Sequence, residues 1–95
     1  MSLTGSQIQE KLDAIRGWVF IDGKIQKTYS FSDFMKAMEY INKLAIIAEH
    51  LDHHPDIHVR YNKVTIATSS HDEDGITDKD FKLAKECEQL AVDMI

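Results

Sequence analysis

The spacing of apolar residues changes along this chain. A spacing of three to four residues predicts a helix, and an alternation with a period of two predicts a strand. Apolar residues recur at helical spacing over residues 4–16, which predicts a short amphipathic helix. The apolar run at residues 18–21 predicts a strand, and the dipeptide Asp22-Gly23 that follows is a strong signal for a two-residue hairpin turn. Residues 24–31 then alternate with a period of two and predict the second strand.

The longest apolar pattern covers residues 32–51 and predicts a helix, with Ser30 or Ser32 as its N-cap and Asp33 near its positive end. One apolar stripe of this helix is able to cover a sheet, and it comprises Phe34, Ala37, Met38, Ile41, Ala45 and Ala48. A second stripe lies on a different face and comprises Tyr40, Leu44, Ile47 and Leu51. Because 95 residues offer no obvious element to cover the second stripe, we expect it to lie in a subunit interface.

Pro55 predicts where the long helix ends. The residue before a proline is disfavoured in the α conformation, so we expect His54 to be extended while His50 is still helical. Residues 57–61 and 64–68 then alternate and predict the third and fourth strands. Asn62-Lys63 is expected to form the turn between them.

A polar loop at residues 69–75 leads to the last predicted helix. Thr77 and Asp80 have the spacing of a capping box, with Asp in place of the usual Glu. The inward face of this helix is expected to comprise Phe81, Ala84, Cys87, Ala91 and Met94. The order α-β-β-α-β-β-α predicts an α+β fold, a two-layer sandwich in which a four-stranded antiparallel sheet carries helices on one face.

Length and composition narrow the class of protein. We expect residues 1–95 to form a single domain with a modest core, so oligomerisation would be a natural supplement. The net charge of −5 argues against direct nucleic-acid binding. The single cysteine, Cys87, excludes an intramolecular disulfide and suits a reducing compartment. With no apolar run of membrane-spanning length and no signal-peptide pattern, the sequence predicts a cytoplasmic protein without membrane contact.

The candidate chemistry is concentrated in histidines. Four of the five fall within nine residues, and these are His50, His53, His54 and His58. The fifth, His71, follows one predicted hairpin later. Because the turn of that hairpin lies at its far end, the two strands return His71 to the neighbourhood of His54.

Three interpretations of this cluster stay open at the level of residue types. In the first interpretation, the histidines form a solvated helix end and satisfy its terminal carbonyls. His50 and His54 have the i, i+4 spacing of a helical zinc pair, although Pro55 weakens that geometry. In the third interpretation the imidazoles surround a small ligand and divide the roles of acid and base, with nearby carboxylates to orient them.

A family resemblance favours the third interpretation. The segments Glu49-His50-Leu51-Asp52-His53-His54-Pro55-Asp56, Tyr61-Asn62-Lys63-Val64, Ser70-His71 and Gly75-Ile76-Thr77 with Asp80 closely resemble the pterin-4a-carbinolamine dehydratases. The motifs Gly17-Trp18, Phe31-Ser32-Asp33-Phe34 and Ala37 also fit that family, so the resemblance covers about residues 17–92. It implies the same sandwich, assembled as a homodimer or homotetramer through the helix at residues 32–51.

The resemblance also implies an activity and a set of site residues. The activity is dehydration of a 4a-hydroxytetrahydropterin to the quinonoid dihydropterin. This reaction recycles the pterin cofactor of aromatic amino-acid hydroxylases, and the dehydratase itself uses no metal or cofactor. The implied catalytic residues are His53, His54 and His71. The implied substrate-binding set adds Glu49, Asp52, Pro55, Ser69, Ser70, Asp72 and Asp80, with Glu49 and Asp80 as orienting carboxylates. We expect His53 and His71 to exchange protons on opposite faces of the pterin, and His54 chiefly to bind it.

Some positions depart from the family pattern. Ile57 stands where tryptophan is frequent, Ser70 where threonine is usual, and Lys79 where arginine is common. None of these changes removes a residue that handles protons, and His50 and His58 are expected to be surface residues. The alternatives are a pterin-binding or molybdopterin-related protein that performs no dehydration, and a dimerisation cofactor of a transcription factor that acts through the long helix.

Overall fold

The computed structural model describes residues 2–95, and Met1 of the expected 1–95 domain lies outside them. The elements are α1 (Gly5–Leu12), β1 (Val19–Ile21), β2 (Lys24–Ser30), α2 (Phe34–Leu51), β3 (Asp56–Arg60), β4 (Lys63–Thr68), a 3₁₀ turn (His71–Glu73) and α3 (Asp78–Met94). This order and the four-stranded antiparallel sheet confirm the predicted α+β fold. No helix among residues 2–95 combines the length and the apolar character needed to cross a membrane.

The sheet has the strand order β1-β2-β4-β3, so β2 and β4 occupy its centre. Because side chains alternate across a strand, the central strands bury one face and leave the other open to solvent. The buried face is formed by Ile25, Tyr29, Val64 and Ile66. Helices α2 and α3 pack against each other, and α2 also contacts β4, so the core lies between the sheet and these two helices.

The two hairpins differ in how well local sequence predicts them. Asp22 and Gly23 have φ angles of 52° and 76°, which confirms the predicted turn. The second turn lies at Tyr61-Asn62, because Arg60 pairs with Lys63, and the predicted Asn62-Lys63 turn is wrong by one residue. The observed register keeps apolar cross-strand pairs together on the core face, and a slip of one residue would turn them to solvent.

Helix α2 begins and ends differently from the prediction. Its N-cap is Asp33, whose Oδ1 accepts a hydrogen bond of 2.8 Å from the Lys36 backbone N–H, so the Ser30 or Ser32 cap is wrong. A carboxylate suits this position because it also interacts favourably with the helix dipole. At the other end, Asp52 adopts the left-handed conformation (φ 52°), so the chain leaves the helix before the Pro55 constraint acts. His50 is helical and His54 is not, as predicted.

The buried face of α2 draws residues from both predicted stripes: Ala37 and Ala48 of the first stripe are buried as expected, whereas Phe34 and Ala45 are exposed. Its fully or nearly buried residues are Ala37, Tyr40, Leu44 and Ala48. Tyr40 and Leu44 therefore belong to the core, and their assignment to a subunit interface is wrong. The reason is the position of α3, which packs on this face and offers the Cys87 carbonyl to the Tyr40 hydroxyl at 3.0 Å. Burial raises the pKa of the Cys87 thiol to about 12, so this cysteine is an apolar core residue.

The first and last helices, α1 and α3, differ less from the prediction. Helix α1 ends at Leu12, before the predicted end at residue 16, although Ile15 is still buried. In α3 the capping box of Thr77 and Asp80 is confirmed. Its inward residues are also confirmed as part of the core or packed against it, and these are Phe81, Ala84, Cys87, Ala91 and Met94.

A single carboxylate ties three segments together beside the core. Glu88 Oε1 accepts hydrogen bonds from Trp18 Nε1 at 3.0 Å, from Lys27 Nζ at 2.5 Å and from the Tyr29 hydroxyl at 2.5 Å. Burial acts to raise the pKa of Glu88, but these hydrogen bonds outweigh it and hold the pKa below its usual value. Glu88 thus fastens the segment after α1 and strand β2 to α3.

Candidate active site

Three histidines meet where the end of α2 approaches the end of β4. His53 and His54 follow the left-handed Asp52, and His71 opens the 3₁₀ turn just beyond β4. Because β3 and β4 are antiparallel, the start of β3 lies beside the end of β4, and the segments flanking them come together. The result is a cleft of about 340 Å³, lined by Asp52, His53, His54, Ser69, His71, Asp72 and Lys79. We call it the histidine cleft.

The most constrained side chain of the histidine cleft is His53. Its Nε2 lies 2.6 Å from Oδ1 of Asp80, and the side chains of His53 and Asp80 are 11% and 0% exposed. An ionised carboxylate can only accept hydrogen bonds, so the Nε2–H of His53 donates to Asp80. In the neutral imidazole this tautomer leaves the Nδ1 lone pair of His53 available to a ligand.

Asp80 is fully buried, and other donors complete its hydrogen bonding. Its Oδ1 also accepts from the Thr68 hydroxyl at 2.7 Å, while its Oδ2 accepts from the Ser70 hydroxyl at 2.9 Å and from the Thr77 backbone N–H at 3.0 Å. A buried carboxylate is tolerated when its lone pairs are satisfied in this way. Asp80 therefore joins β4, the loop after it, the first turn of α3 and the end of α2 at one point.

His54 and His71 are held much less firmly. His54 Nε2 pairs with Glu49 Oε2 on the surface, where the two side chains are 58% and 76% exposed. Among residues 2–95 no group is hydrogen-bonded to the ring of His71, which is exposed at the mouth of the cleft. The three imidazoles thus differ in their surroundings: His53 is partly buried and paired, His54 is exposed and paired, and His71 is exposed with no partner among residues 2–95.

The structure divides the expected site residues into two groups. Those in the wall of the histidine cleft are Asp52, His53, His54, Ser69, His71 and Asp72. Those outside that wall are Glu49, Pro55, Ser70 and Asp80. Glu49 and Asp80 contact histidines of the cleft, and Ser70 is buried with its hydroxyl committed to Asp80 and to Thr77 Oγ1, at 2.8 Å from the latter.

Sequence reasoning missed two contributors to this site. Thr68 supports Asp80 from β4, and Lys79 lies in the wall of the cleft. The signal for Thr68 is its position in phase with Val64 and Ile66, which places a hydroxyl on the core face of β4. His50 and His58 are exposed and lie outside the cleft, as expected. Within residues 2–95, no group of three or more His, Cys, Asp or Glu side chains is placed to hold a metal ion.

The sheet and its helical layer define a small α+β protein, and its cleft is lined by imidazoles and carboxylates. The model of the family described as "Pterin 4 alpha carbinolamine dehydratase" matches residues 1–90. The chain therefore belongs to the pterin-4a-carbinolamine dehydratase family, which is a family of hydro-lyases.

Individual relatives agree with this membership. A protein of Herpetosiphon aurantiacus, named "Putative pterin-4-alpha-carbinolamine dehydratase", is 48% identical over 88 residues, which are 93% of this chain and 92% of that protein. The crystal structure of a "transcriptional coactivator/pterin dehydratase" from Brucella melitensis superimposes with a TM-score of 0.92 at 35% identity, covering 96% of this chain and 99% of that one. A "pterin dehydratase-like protein" that serves as a RuBisCO assembly factor in the alpha-carboxysome shares the fold, with a TM-score of 0.69 at 18% identity, over 81% of this chain and 92% of that one.

Proposed function

We propose that this protein dehydrates a 4a-hydroxytetrahydropterin to the quinonoid dihydropterin by general acid–base catalysis with histidines. The observation that carries the proposal is the histidine cleft, in which one imidazole is fixed by a buried carboxylate and a second is unpaired. The reaction needs two proton transfers. An acid protonates the 4a-hydroxyl, which leaves as water when the C4a–O bond breaks, and a base takes a proton from a ring N–H so that the C=N bond forms.

We assign these two transfers to His53 and His71, on opposite faces of the pterin. The carboxylate of Asp80 fixes the ring of His53 and stabilises the positive charge that it gains when it accepts a proton. His71 also lines the cleft, is exposed, and has no side-chain hydrogen-bond partner among residues 2–95. Each transfer assisted in this way is worth about 10² to 10⁴ in rate.

His54 is assigned chiefly to substrate binding. Its pairing with Glu49 is exposed to water, so it fixes the ring less firmly than Asp80 fixes His53. Asp52, Ser69 and Asp72 supply further polar groups to the wall, which suit the hydrogen-bonding edge of a pterin.

The test is an assay with freshly generated 4a-hydroxytetrahydropterin, run with and without a chelator. Acceleration over the spontaneous dehydration that persists in the chelator supports the proposal. Tight pterin binding without acceleration would instead favour a pterin-binding protein that performs no dehydration. Acceleration lost in the chelator and restored by a divalent ion would favour metal catalysis.

We also propose that the protein self-associates through the outer face of α2, formed by Met35, Met38, Asn42 and Ile46. Met35 and Ile46 are 73% and 71% exposed, and they lie with Met38 on the same face of the helix, so the exposed apolar side chains are grouped. Lys36, Glu39 and Lys43 flank this face, so charges of both signs are available to pair across a symmetric contact between two copies.

The mass in solution tests this second proposal. The wild-type chain should sediment as a dimer or tetramer, and Ile46→Glu should shift it toward the monomer. Val92→Glu is the matched control, because Val92 is also 71% exposed but lies on α3. A monomeric wild type, or an equal response of the two variants, would contradict self-association through α2 and leave its outer face to a different partner.

A further inference from the structure

The open face of the sheet carries a group of basic side chains where β3 turns into β4. Because Val64 is buried and pairs with Val59, the residues next to these two in each strand point to the open face. Arg60 and Lys63 are such neighbours, and His58 lies on the same face two positions before Arg60. All three side chains are exposed. We call His58, Arg60 and Lys63 the basic corner.

Two like charges stand directly opposite each other in the basic corner. Arg60 pairs with Lys63 across the antiparallel strands, which brings their Cβ atoms to roughly 5 Å from each other. Like charges in this arrangement destabilise a sheet. Within residues 2–95, neither side chain makes a hydrogen bond or an ion pair that offsets the repulsion. An anion bound between Arg60 and Lys63 would therefore relieve a repulsion that the chain retains by itself.

The basic corner is positive although the chain as a whole is acidic. The net charge of the chain is −5. Of the residues that form the four strands, however, only Asp56 is acidic, and its carboxylate pairs with Lys24. The other carboxylates lie on the helices and loops, so the basic corner keeps a positive potential of its own.

The surface beside the basic corner is flat and offers hydrogen bonds. Ser30 of β2 lies opposite Lys63, and Thr65 of β4 lies opposite His58. The Thr65 and Thr28 hydroxyls are in contact at 2.7 Å. Because these hydroxyl-bearing side chains are short, a helix or an extended segment of another molecule is able to approach the sheet closely here.

From these observations we propose that the basic corner is a docking site for an acidic segment of another protein, with a carboxylate between Arg60 and Lys63. The planar guanidinium of Arg60 suits a bidentate pair with a carboxylate, and the ammonium of Lys63 adds a second charge-assisted contact. A nucleic acid is a poorer occupant. The open-face residues of the four strands include no Phe, Tyr or Trp on which a base would stack, and the net charge of −5 repels a long chain of phosphates.

This docking site is separate from the histidine cleft and from the face proposed for self-association. Lys63 begins β4, whereas the cleft lies beyond the other end of β4 at Thr68, roughly 17 Å away along the strand. The outer face of α2 belongs to the helical layer, on the other side of the sheet. The basic corner therefore stays open in a dimer formed through α2, and its occupation does not require the dehydration reaction.

Binding of a short, fluorescently labelled peptide rich in glutamate tests the proposal, and a peptide with glutamine in place of every glutamate is the ligand control. At low ionic strength the wild type should bind the glutamate peptide and not the glutamine peptide, as measured by fluorescence anisotropy. The double variant Arg60→Gln/Lys63→Gln should bind the glutamate peptide about fivefold more weakly, the loss expected for two exposed ion pairs. The matched control Lys82→Gln/Lys85→Gln removes the same charge from exposed positions of α3 and should bind as the wild type does.

A urea titration tests the repulsion separately. Arg60→Gln should raise the free energy of unfolding at low ionic strength, and the gain should shrink at high ionic strength because salt screens exposed charges. Lys82→Gln removes one positive charge without relieving a cross-strand pair, so it should show no such gain. An Arg60→Gln variant that is less stable than the wild type at low ionic strength would contradict the repulsion on which the docking site rests.

The binding outcomes also decide between occupants. Equal binding of the two peptides by the wild type, or an equal loss of binding in the two double variants, would overturn the docking site. A single-stranded oligonucleotide that binds more tightly than the glutamate peptide, and that loses this binding in Arg60→Gln/Lys63→Gln, would make the occupant a nucleic acid and overturn the proposal in that way.

Discussion

The Nε2 atom of His53 lies 2.6 Å from Oδ1 of Asp80, and this contact joins the end of α2 to the first turn of α3. Asp80 serves two purposes in the same place. Its Oδ2 accepts from the Thr77 backbone N–H and so caps α3, while its Oδ1 fixes the tautomer and the orientation of His53. Asp80 is therefore a positioning residue for the proposed reaction as well as a structural one.

Replacing Asp80 by Asn should separate these two purposes. Asp80→Asn keeps the size of the side chain but removes the charge and one acceptor oxygen. We expect kcat to fall by about tenfold or more with a smaller change in KM, because His53 loses its orienting carboxylate. The pH profile of kcat should also change shape, since His53 then faces a neutral amide in place of a carboxylate.

The matched control for Asp80→Asn is Asp78→Asn. Asp78 lies in the same first turn of α3, but it is exposed and pairs with Lys11 on the surface. It should leave kcat unchanged. If Asp80→Asn lowered the melting temperature and left both kcat and the pH profile at wild-type values, Asp80 would be a helix cap with no positioning role.

Thr68→Val should lower the free energy of unfolding, because it removes a hydrogen bond to the buried carboxylate of Asp80. The variant has nearly the same shape as the wild type, but it removes the hydroxyl that donates to Asp80 Oδ1 at 2.7 Å. Leaving a buried acceptor with one donor fewer costs about 1–3 kcal/mol in the free energy of unfolding, which urea titration measures.

Thr65→Val provides the comparison for Thr68→Val on the same strand. Thr65 points to the open face of the sheet, where its hydroxyl contacts that of Thr28 at 2.7 Å in reach of water. Its replacement should change the free energy of unfolding much less than Thr68→Val does. Equal losses for the two variants would show that the Thr68 hydroxyl has no special role beside Asp80.

Glu88 should make the stability of the fold depend on pH in the acid range. The pKa of Glu88 is lower in the folded protein than the usual value of 4.5 for a glutamate, so the unfolded chain binds more protons than the folded one as Glu88 titrates. The stabilisation by Glu88 is therefore complete above the unfolded-state pKa and is lost as the pH falls through the lower, folded-state pKa.

The comparison of Glu88→Gln with the wild type checks this direction. The difference in the free energy of unfolding should be large at neutral pH and should shrink as the pH is lowered to about 3. Glu86→Gln, on the same helix but outside the contacts with Trp18, Lys27 and Tyr29, should show a smaller difference. A Glu88→Gln difference that grows toward acid pH would contradict the assigned role.

Local sequence predicted the helices and strands well. It predicted less well how they pack and pair with one another. The Asp22-Gly23 turn was correct because both residues tolerate positive φ angles, which is a local property. The second turn was wrong by one residue because its position depends on the pairing of Val59 with Val64 across the sheet. That pairing is a property of the whole sheet and is not encoded in the turn residues.

The choice of the buried face of α2 illustrates the same limit. Both apolar stripes have helical spacing, so periodicity alone does not decide which one is covered. The decision depends on α3, which packs against α2 and contacts Tyr40, while Leu44 is also buried and Met35 and Ile46 stay in solvent. The direction of the α3 axis relative to α2 cannot be derived from either helix by itself.

The histidine cleft was predictable to a larger extent, because its parts are joined by short connections. Pro55 and the β3–β4 hairpin are enough to bring His71 back toward His53 and His54. The hydrogen bond from Thr68 to Asp80 was harder to predict from the sequence. These two residues are 12 positions apart, and the path of the loop between β4 and α3 decides whether they meet. The resemblance to the dehydratases indicated Asp80, but it did not indicate the hydroxyl group that supports it.

The central claim is that His53 and His71 carry out the proton transfers of dehydration. The most direct measurement is the stopped-flow rate of dehydration of 4a-hydroxytetrahydropterin by His53→Ala, His71→Ala and the double variant, with folding checked by circular dichroism. The exposed His58, which lies outside the cleft, provides the control variant His58→Ala. We predict that each single variant is slower by about 10² or more, that the folded double variant leaves only the spontaneous rate, and that His58→Ala equals the wild type. A folded double variant with full activity would contradict the account.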